Sequence, residues 1–364
     1  MTVVDNMGKK LEYLQITRGI AALIVVLHHI TGSASFYLNF KLLGGIFEAG
    51  WNGVDFFFVL SGFIIYYIHS DDIGHPDRLK KFIYKRFIRI YPIYWIIAII
   101  ALILIIVANK HVSNFQGLEP LYLIKSFFLI PQIKEPFLRV AWSLCCEVFF
   151  YLIFALGIFA GIRAILFILT VYFILLGYQV FFHVSGYNNF YFNFLSSNFH
   201  LEFLIGVLTS ICYKRLVKKD ILITRKVAIN SFFILGVILF LTSWICSLTF
   251  PLVFGKLTIY SRIFYGISSG IIILGAAMKK FHKKDLIADF FLLLGDASYV
   301  LYLVHYIVLA IFFKLIIQMH YKGTLYYYEI CLLSFILSVA VGILLHVFLE
   351  RKILAILNKR LLKK

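Results

Sequence analysis

Arg18 and His29 stand eleven residues apart in an otherwise apolar stretch, Arg18-Gly-Ile-Ala-Ala-Leu-Ile-Val-Val-Leu-His-His29. At about 100° per residue that spacing is close to three helical turns, so both side chains share one face, roughly 16 Å apart along the axis. Imidazole is the one side chain whose ordinary protonation equilibrium lies near neutral pH, which suits it to taking a proton from a weak nucleophile. His28 points about 100° away and reads as structural. Three carboxylates occupy similar apolar settings. Asp55 lies in Gly50-Trp-Asn-Gly-Val-Asp-Phe-Phe-Phe-Val-Leu-Ser-Gly-Phe63, and Glu147 in Ala141-Trp-Ser-Leu-Cys-Cys-Glu-Val-Phe-Phe-Tyr151. Glu202 opens Glu-Phe-Leu-Ile-Gly206. An acid buried in lipid needs a partner or gives up its charge, so Asp55 and Glu147 are candidates for orienting and charge-stabilising an imidazole base. Ser143, Glu147 and Tyr151 share a face, and Trp142 suits an interfacial aromatic belt. Ser298, Tyr302 and His305 recur at i, i+4 and i+7 on a further face, where a lone histidine is more often a satisfied core residue than a catalyst.

A second chemistry is written in Arg86-x-x-Arg89 followed by Ile-Tyr-Pro92. Two guanidiniums three residues apart match phosphate oxygens in a forked geometry. Taken alone, such a basic run more often binds anionic lipid headgroups and sets orientation. Pro92 is expected near the start of a helix, where a missing N–H is tolerated.

These groups must be positioned by membrane-spanning helices. The 364 residues are 62% hydrophobic and 14% charged, against roughly 25% charged in soluble domains. Mean hydropathy is +0.94. Apolar stretches of about 20 residues recur along the whole chain, as spanning helices require. Ten are expected, at roughly 15–34, 51–69, 90–108, 140–160, 163–182, 199–213, 228–250, 259–278, 292–315 and 326–349, the sixth short enough to be re-entrant. The N-terminus, the 70–89 loop, Arg163, the 214–226 and 279–284 loops and the C-terminal tail hold most of the 35 lysines and arginines. The positive-inside rule places that side, with both termini, in the cytoplasm. The net charge of +18 is thereby explained without nucleic acid. The fold class is all-α and polytopic. The first apolar stretch carries no signal-peptide cleavage pattern. The five cysteines show neither zinc nor disulfide spacing and read as small core residues. No metal site and no permanently bound cofactor are expected. Abundant Ile, Phe, Tyr, Lys and Asn point to an AT-rich bacterial source.

The motifs, in order, resemble the acyltransferase 3 family of membrane O-acyltransferases. They are Arg18-Gly…His29; Gly53-Val-Asp-Phe-Phe-Phe-Val-Leu-Ser-Gly-Phe63; Arg86-x-x-Arg89-Ile-Tyr-Pro92; and Trp142-Ser-Leu-x-x-Glu147-x-x-Phe-Tyr151. Weaker matches follow at Glu202–Gly206 and Ser298–His305. The resemblance covers residues 11–351 as one transmembrane domain, followed by a basic cytoplasmic tail, 352–364, and no extracellular hydrolase-like domain. It implies about ten spans and an acetyl or other short acyl group drawn from cytoplasmic acyl-CoA. The acceptor it implies is a hydroxyl of a surface polysaccharide or its lipid-linked precursor, at the bacterial inner membrane. His29 would be the base or an acyl carrier. Arg18, Arg86 and Arg89 would meet the donor's phosphates. A secondary transporter or exporter of an acylated glycan or small anion also uses intramembrane His and Glu. It leaves the paired arginines unexplained.

Overall fold

The computed structural model describes residues 11–108, 119–181, 190–218, 226–256, 258–279, 285–318 and 323–362. Basic loop residues in 219–225 and 280–284, and the last two of the tail, lie outside them. Among the described residues the chain is helical, with no strand. The helices are α1 (Glu12–Leu38), α2 (Asn52–His69), α3 (Leu79–Ala108), α4 (Pro120–Phe127), α5 (Trp142–Ala160), α6 (Ile162–Phe181) and α7 (Phe190–Leu195). They continue as α8 (Phe199–Lys218), α9 (Lys226–Thr249), α10 (Pro251–Phe254), α11 (Ile259–Met278), α12 (Leu286–Gln318), α13 (Thr324–Leu345) and α14 (Arg351–Leu362). Among the described residues, ten helical segments are long and apolar enough to cross a membrane, and each overlaps one of the ten expected spans. The sixth includes α8, whose 20 residues suffice to cross.

Two boundaries differ from expectation. The third span does not start near Tyr91: α3 begins at Leu79, so Pro92 lies well inside a 30-residue helix. Lysine and arginine are good helix formers, so the backbone ladder runs on through the charged turns after hydrophobicity has ended. Pro92 lacks the N–H that the Ile88 carbonyl would accept. At the other end, α13 passes through a π-helical turn, His346–Glu350, straight into α14. The described part of the basic tail is therefore helix.

Contacts divide the chain into two compact units. The first holds the residues up to Tyr67 together with Leu201–Lys352. Lipid tails are as apolar as leucine, so helices in a membrane associate by close packing rather than by hydrophobic gain. Two glycine crossings do this here. A Cβ on Gly295 of α12 would run into the Gln15 carbonyl of α1, and one on Gly19 would sit 3.0 Å from the Gly295 nitrogen. Likewise, a Cβ on Gly206 of α8 or Gly62 of α2 would strike the other helix's backbone, at Val59 and Phe203. Around the α1–α12 crossing, Ala22, Val26, Ile30, Leu294, Leu301 and Phe313 form a buried core that α13 completes with Ile330 and Cys331. The segment Leu42–Trp51 turns through Leu43, Gly44 and Gly45 at φ of 46°, 68° and 87°, conformations that glycine adopts freely and leucine does not. Its carbonyls at Phe47 and Ile46 are engaged by His28 Nδ1 of α1 and by Trp244 Nε1 of α9.

The second unit holds Ile68–His200 and the segment from Ile353 on. The Tyr94 hydroxyl donates to the Ser126 carbonyl at 2.6 Å and Trp95 Nε1 to Phe127 at 2.9 Å, tying α3 to the end of α4. Gly161, at φ 81°, ends α5 and lets α6 fold back beside it.

Candidate active site

The shared face predicted for Arg18 and His29 exists, and it faces α12. Arg18 is 5% exposed. It donates through Nη2 to Ser298 Oγ at 3.0 Å and through Nη1 to Gln15 Oε1 at 2.8 Å. Further along the same two helices, His29 Nδ1 lies 3.2 Å from His305 Nε2. The i, i+4, i+7 face of Ser298, Tyr302 and His305 is thus the face turned to α1. The ring of Tyr302 lies 5.9 Å from that of His305 and 6.5 Å from that of Phe57.

Hydrogen-bond partners fix where the protons of this histidine pair sit. His305 Nδ1 is 3.0 Å from the Leu301 carbonyl, which only accepts. Nδ1 therefore carries the hydrogen, and Nε2 of neutral His305 is an acceptor. His29 Nδ1 faces the Val25 carbonyl at 2.9 Å and His305 Nε2 at 3.2 Å, two acceptors. It too must hold its hydrogen, which leaves His29 Nε2 with a bare lone pair when the ring is neutral. His305 is wholly buried, whereas His29 is half-buried. The His28 and Tyr306 rings stand edge-on to His29, at 5.1 Å and 5.6 Å. Chemically the arrangement can accept a proton at one nitrogen while the other is anchored.

The carboxylates are placed differently from expectation. Asp55 does not hydrogen-bond His29; Arg262 of α11 donates to it through Nη1 and reaches Glu202 Oε1 at 3.4 Å with the same nitrogen. Arg262 Nη2 donates to the Lys256 carbonyl, and the Trp51 ring covers the guanidinium at 4.7 Å. All three charged groups are buried to 1% exposure or less. Each sits in the first turn of its helix, where free N–H groups favour the two acids and disfavour the arginine that the acids then hold. Sequence reasoning missed Arg262, although a single arginine among apolar residues demands a carboxylate partner and was a usable signal.

In the second unit, Glu147 accepts from the Tyr151 hydroxyl one turn on, as their common face implied. Trp142 packs on Phe199 at 4.9 Å. Arg86 is 5% exposed. It donates through Nη2 to His69 Nε2 at 3.0 Å, and its guanidinium lies over the rings of Phe82 and Tyr151 at 5.6 and 5.5 Å. His69 in turn uses Nδ1 on Asp72 at 2.6 Å, and Asp72 accepts from Arg78 at 2.7 Å. Among the described residues, Arg86 Nε has no partner. A buried guanidinium with one unused donor, held by a neutral imidazole rather than an acid, keeps its positive charge available to an anion. Arg89 lies one turn on along α3, and the Tyr151 hydroxyl is within electrostatic reach of both arginines. The His69–Asp72 support was not legible beforehand, because nothing in the linear pattern links His69 to Arg86.

Residues 11–345 match the acyltransferase domain family to which the ordered motifs pointed. A 152-residue stretch is 33% identical to the acyltransferase MdmB of Streptomyces mycarofaciens, covering 38% of this chain and 37% of that protein. The chain thus matches little more than a third of that relative's length. No solved structure matches the chain to significance.

Proposed function

Since the chain belongs to the acyltransferase 3 family, we propose that it moves a short acyl group, acetyl in the first instance, from cytoplasmic acyl-CoA to a sugar hydroxyl. The acceptor is a surface polysaccharide or its lipid-linked precursor. The enzyme sits in the bacterial inner membrane with both termini in the cytoplasm. One observation carries the reading: an imidazole whose Nδ1 hydrogen is committed to Val25 and His305, leaving Nε2 bare.

In the reaction, the acceptor O–H bond breaks as its proton passes to His29 Nε2. The oxygen forms a bond to the acyl carbon, the C–S bond breaks, and the departing sulfur takes the proton back from Nε2. Hydroxyl plus thioester becomes ester plus thiol, with no net proton. General-base help of this kind supplies typically 10²–10⁴-fold. Arg86 and Arg89 take the donor's phosphates. Arg18, expected to join them, donates to Gln15 and Ser298, both neutral, and these bonds seat α1 against α12. Glu147 and Tyr151 line the arginine side of the second unit.

The test is incorporation of radiolabelled acetyl from acetyl-CoA into membrane glycan, without any ion gradient, by wild type and His29→Ala at matched folded amounts. Wild-type transfer that falls by about 10²–10⁴-fold in the variant supports the reading. Retained transfer in His29→Ala removes His29 as the base, and gradient-dependent glycan movement without acyl transfer replaces the enzyme by an exporter. For the donor site, Arg86→Gln with Arg89→Gln should raise the acetyl-CoA KM by about tenfold or more, each lost charged hydrogen bond being worth about 1.5–3 kcal/mol. An unchanged KM removes the phosphate assignment.

A further inference from the structure

His305 lies 276 residues from His29 in sequence, and its ring touches the base on the side away from the bare nitrogen. Its own orientation is over-determined. Nδ1–H is held by the Leu301 carbonyl at 3.0 Å, the Tyr302 ring stands 5.9 Å away, and no part of the side chain is exposed. A ring pinned this way can present only one atom to α1, the lone pair of Nε2, and that atom faces His29 Nδ1.

We infer that His305 is the positioning residue of the base: it accepts the Nδ1 hydrogen of His29 and so holds the proton-accepting nitrogen in one tautomer and one direction. The inference rests on the reading of His29 as general base. Catalytic histidines elsewhere are held by a carboxylate, which also steadies the imidazolium formed in turnover. A neutral imidazole gives the orienting hydrogen bond without a buried negative charge. That matters in a membrane interior, where an acid needs its own counter-ion, as Asp55 needs Arg262. Val25 and Leu301 supply the remaining acceptors from the backbone, so both Nδ1–H groups are satisfied without water or a third side chain. During transfer the acceptor's proton goes to His29 Nε2 and leaves with the thiol. His305 keeps its proton on Nδ1 throughout, and the positive charge that His29 carries in between is shared through the Nδ1–H···Nε2 hydrogen bond.

The test compares His305→Leu with His305→Gln in membrane vesicles, reading acetyl incorporation from radiolabelled acetyl-CoA into the vesicles' own glycan. Leucine fills the space without an acceptor. Glutamine brings an amide oxygen near the place of Nε2 and accepts the same hydrogen. The expected result is a kcat lower by roughly 10- to 100-fold in the leucine variant, a fraction of the whole general-base contribution. Its acetyl-CoA KM should stay within about twofold, and most of the rate should return with glutamine. Equal losses in the two variants, or a leucine variant as fast as wild type, overturn the inference. A second measurement needs no variant at position 305: nitrogen NMR of histidine-labelled wild type, with the His29 signal identified by its loss in His29→Ala. Hydrogen on His29 Nδ1 supports the inference, and hydrogen on Nε2 overturns it. If His29→Ala itself leaves transfer intact, the base assignment fails. If His29→Ala abolishes transfer while His305→Leu does not, only the role of His305 fails.

Discussion

Two buried polar clusters in the first unit, built from similar ingredients, end in opposite states. At Asp55, Glu202 and Arg262 all three groups are sealed from solvent and the arginine is shared between two acids, a backbone carbonyl and a tryptophan ring, while Asp55 Oδ2 and Glu202 Oε2 have no hydrogen-bond partner among the described residues. At His29 and His305 no formal charge is needed to satisfy the hydrogen bonds, and one nitrogen of a half-buried ring is left with nothing to accept. An ionisable group in an apolar helix is costly in both places. What separates a structural pin from a group able to react is access to a free atom: Asp55 and Glu202 are 0% exposed, whereas His29 is half-buried. Asp55, in the linear sequence a candidate to orient the His29 ring, pairs instead with Arg262 and ties α2 to α11.

The largest expected effect comes from breaking the closed cluster. Arg262→Met strands two buried acids and should cost about 3–5 kcal/mol of stability, read as a drop in the Tm of purified protein in detergent. The specific acetyl transfer of the folded fraction should stay near wild type. A variant that keeps its Tm but loses transfer would make this cluster part of the catalytic machinery and erase the contrast. His29→Ala should show the converse, with Tm moving by the equivalent of about 1–3 kcal/mol, because His305 Nε2 is left buried without its partner, even as transfer collapses. The smallest effect on transfer is expected at Ser298→Ala, which removes one acceptor from the Arg18 guanidinium and should cost about 0.5–3 kcal/mol of stability. Its transfer rate should fall only modestly, because Gln15 still holds Arg18. A loss as deep as that of His29→Ala would show that Arg18 does more than seat the helix.

The ten spans were legible because a helix in lipid must close its own backbone hydrogen bonds, so about 20 apolar residues announce each crossing. The start of α3 was not. Hydrophobicity stops before Tyr91, but helical hydrogen bonding needs only helix-forming residues and runs back through Arg86 to Leu79. Within the site, periodicity alone placed Arg18 with His29, and Ser298 with Tyr302 and His305. It could not say that these two faces meet, because the register between α1 and α12 is set where Gly19 and Gly295 bring the backbones together. For the same reason the partner of Asp55 came out as Arg262 rather than His29. Each helix's inward face is written in its own residues, whereas pairing across helices belongs to the packed structure.

The glycine crossing of α1 and α12 bears on how the enzyme meets bilayers of different thickness. These helices of 27 and 33 residues run roughly 40 and 50 Å, well beyond a hydrocarbon core of about 30 Å, so both must tilt or project in any lipid. Backbone touching backbone at Gly19 and Gly295 makes a pivot with little side-chain slack, and His29 and His305 stand only about two to three turns beyond it. A change of tilt swings the far helix ends more than the imidazole pair. Acyl transfer should therefore hold a nearly constant kcat in vesicles of short- and long-chain lipids.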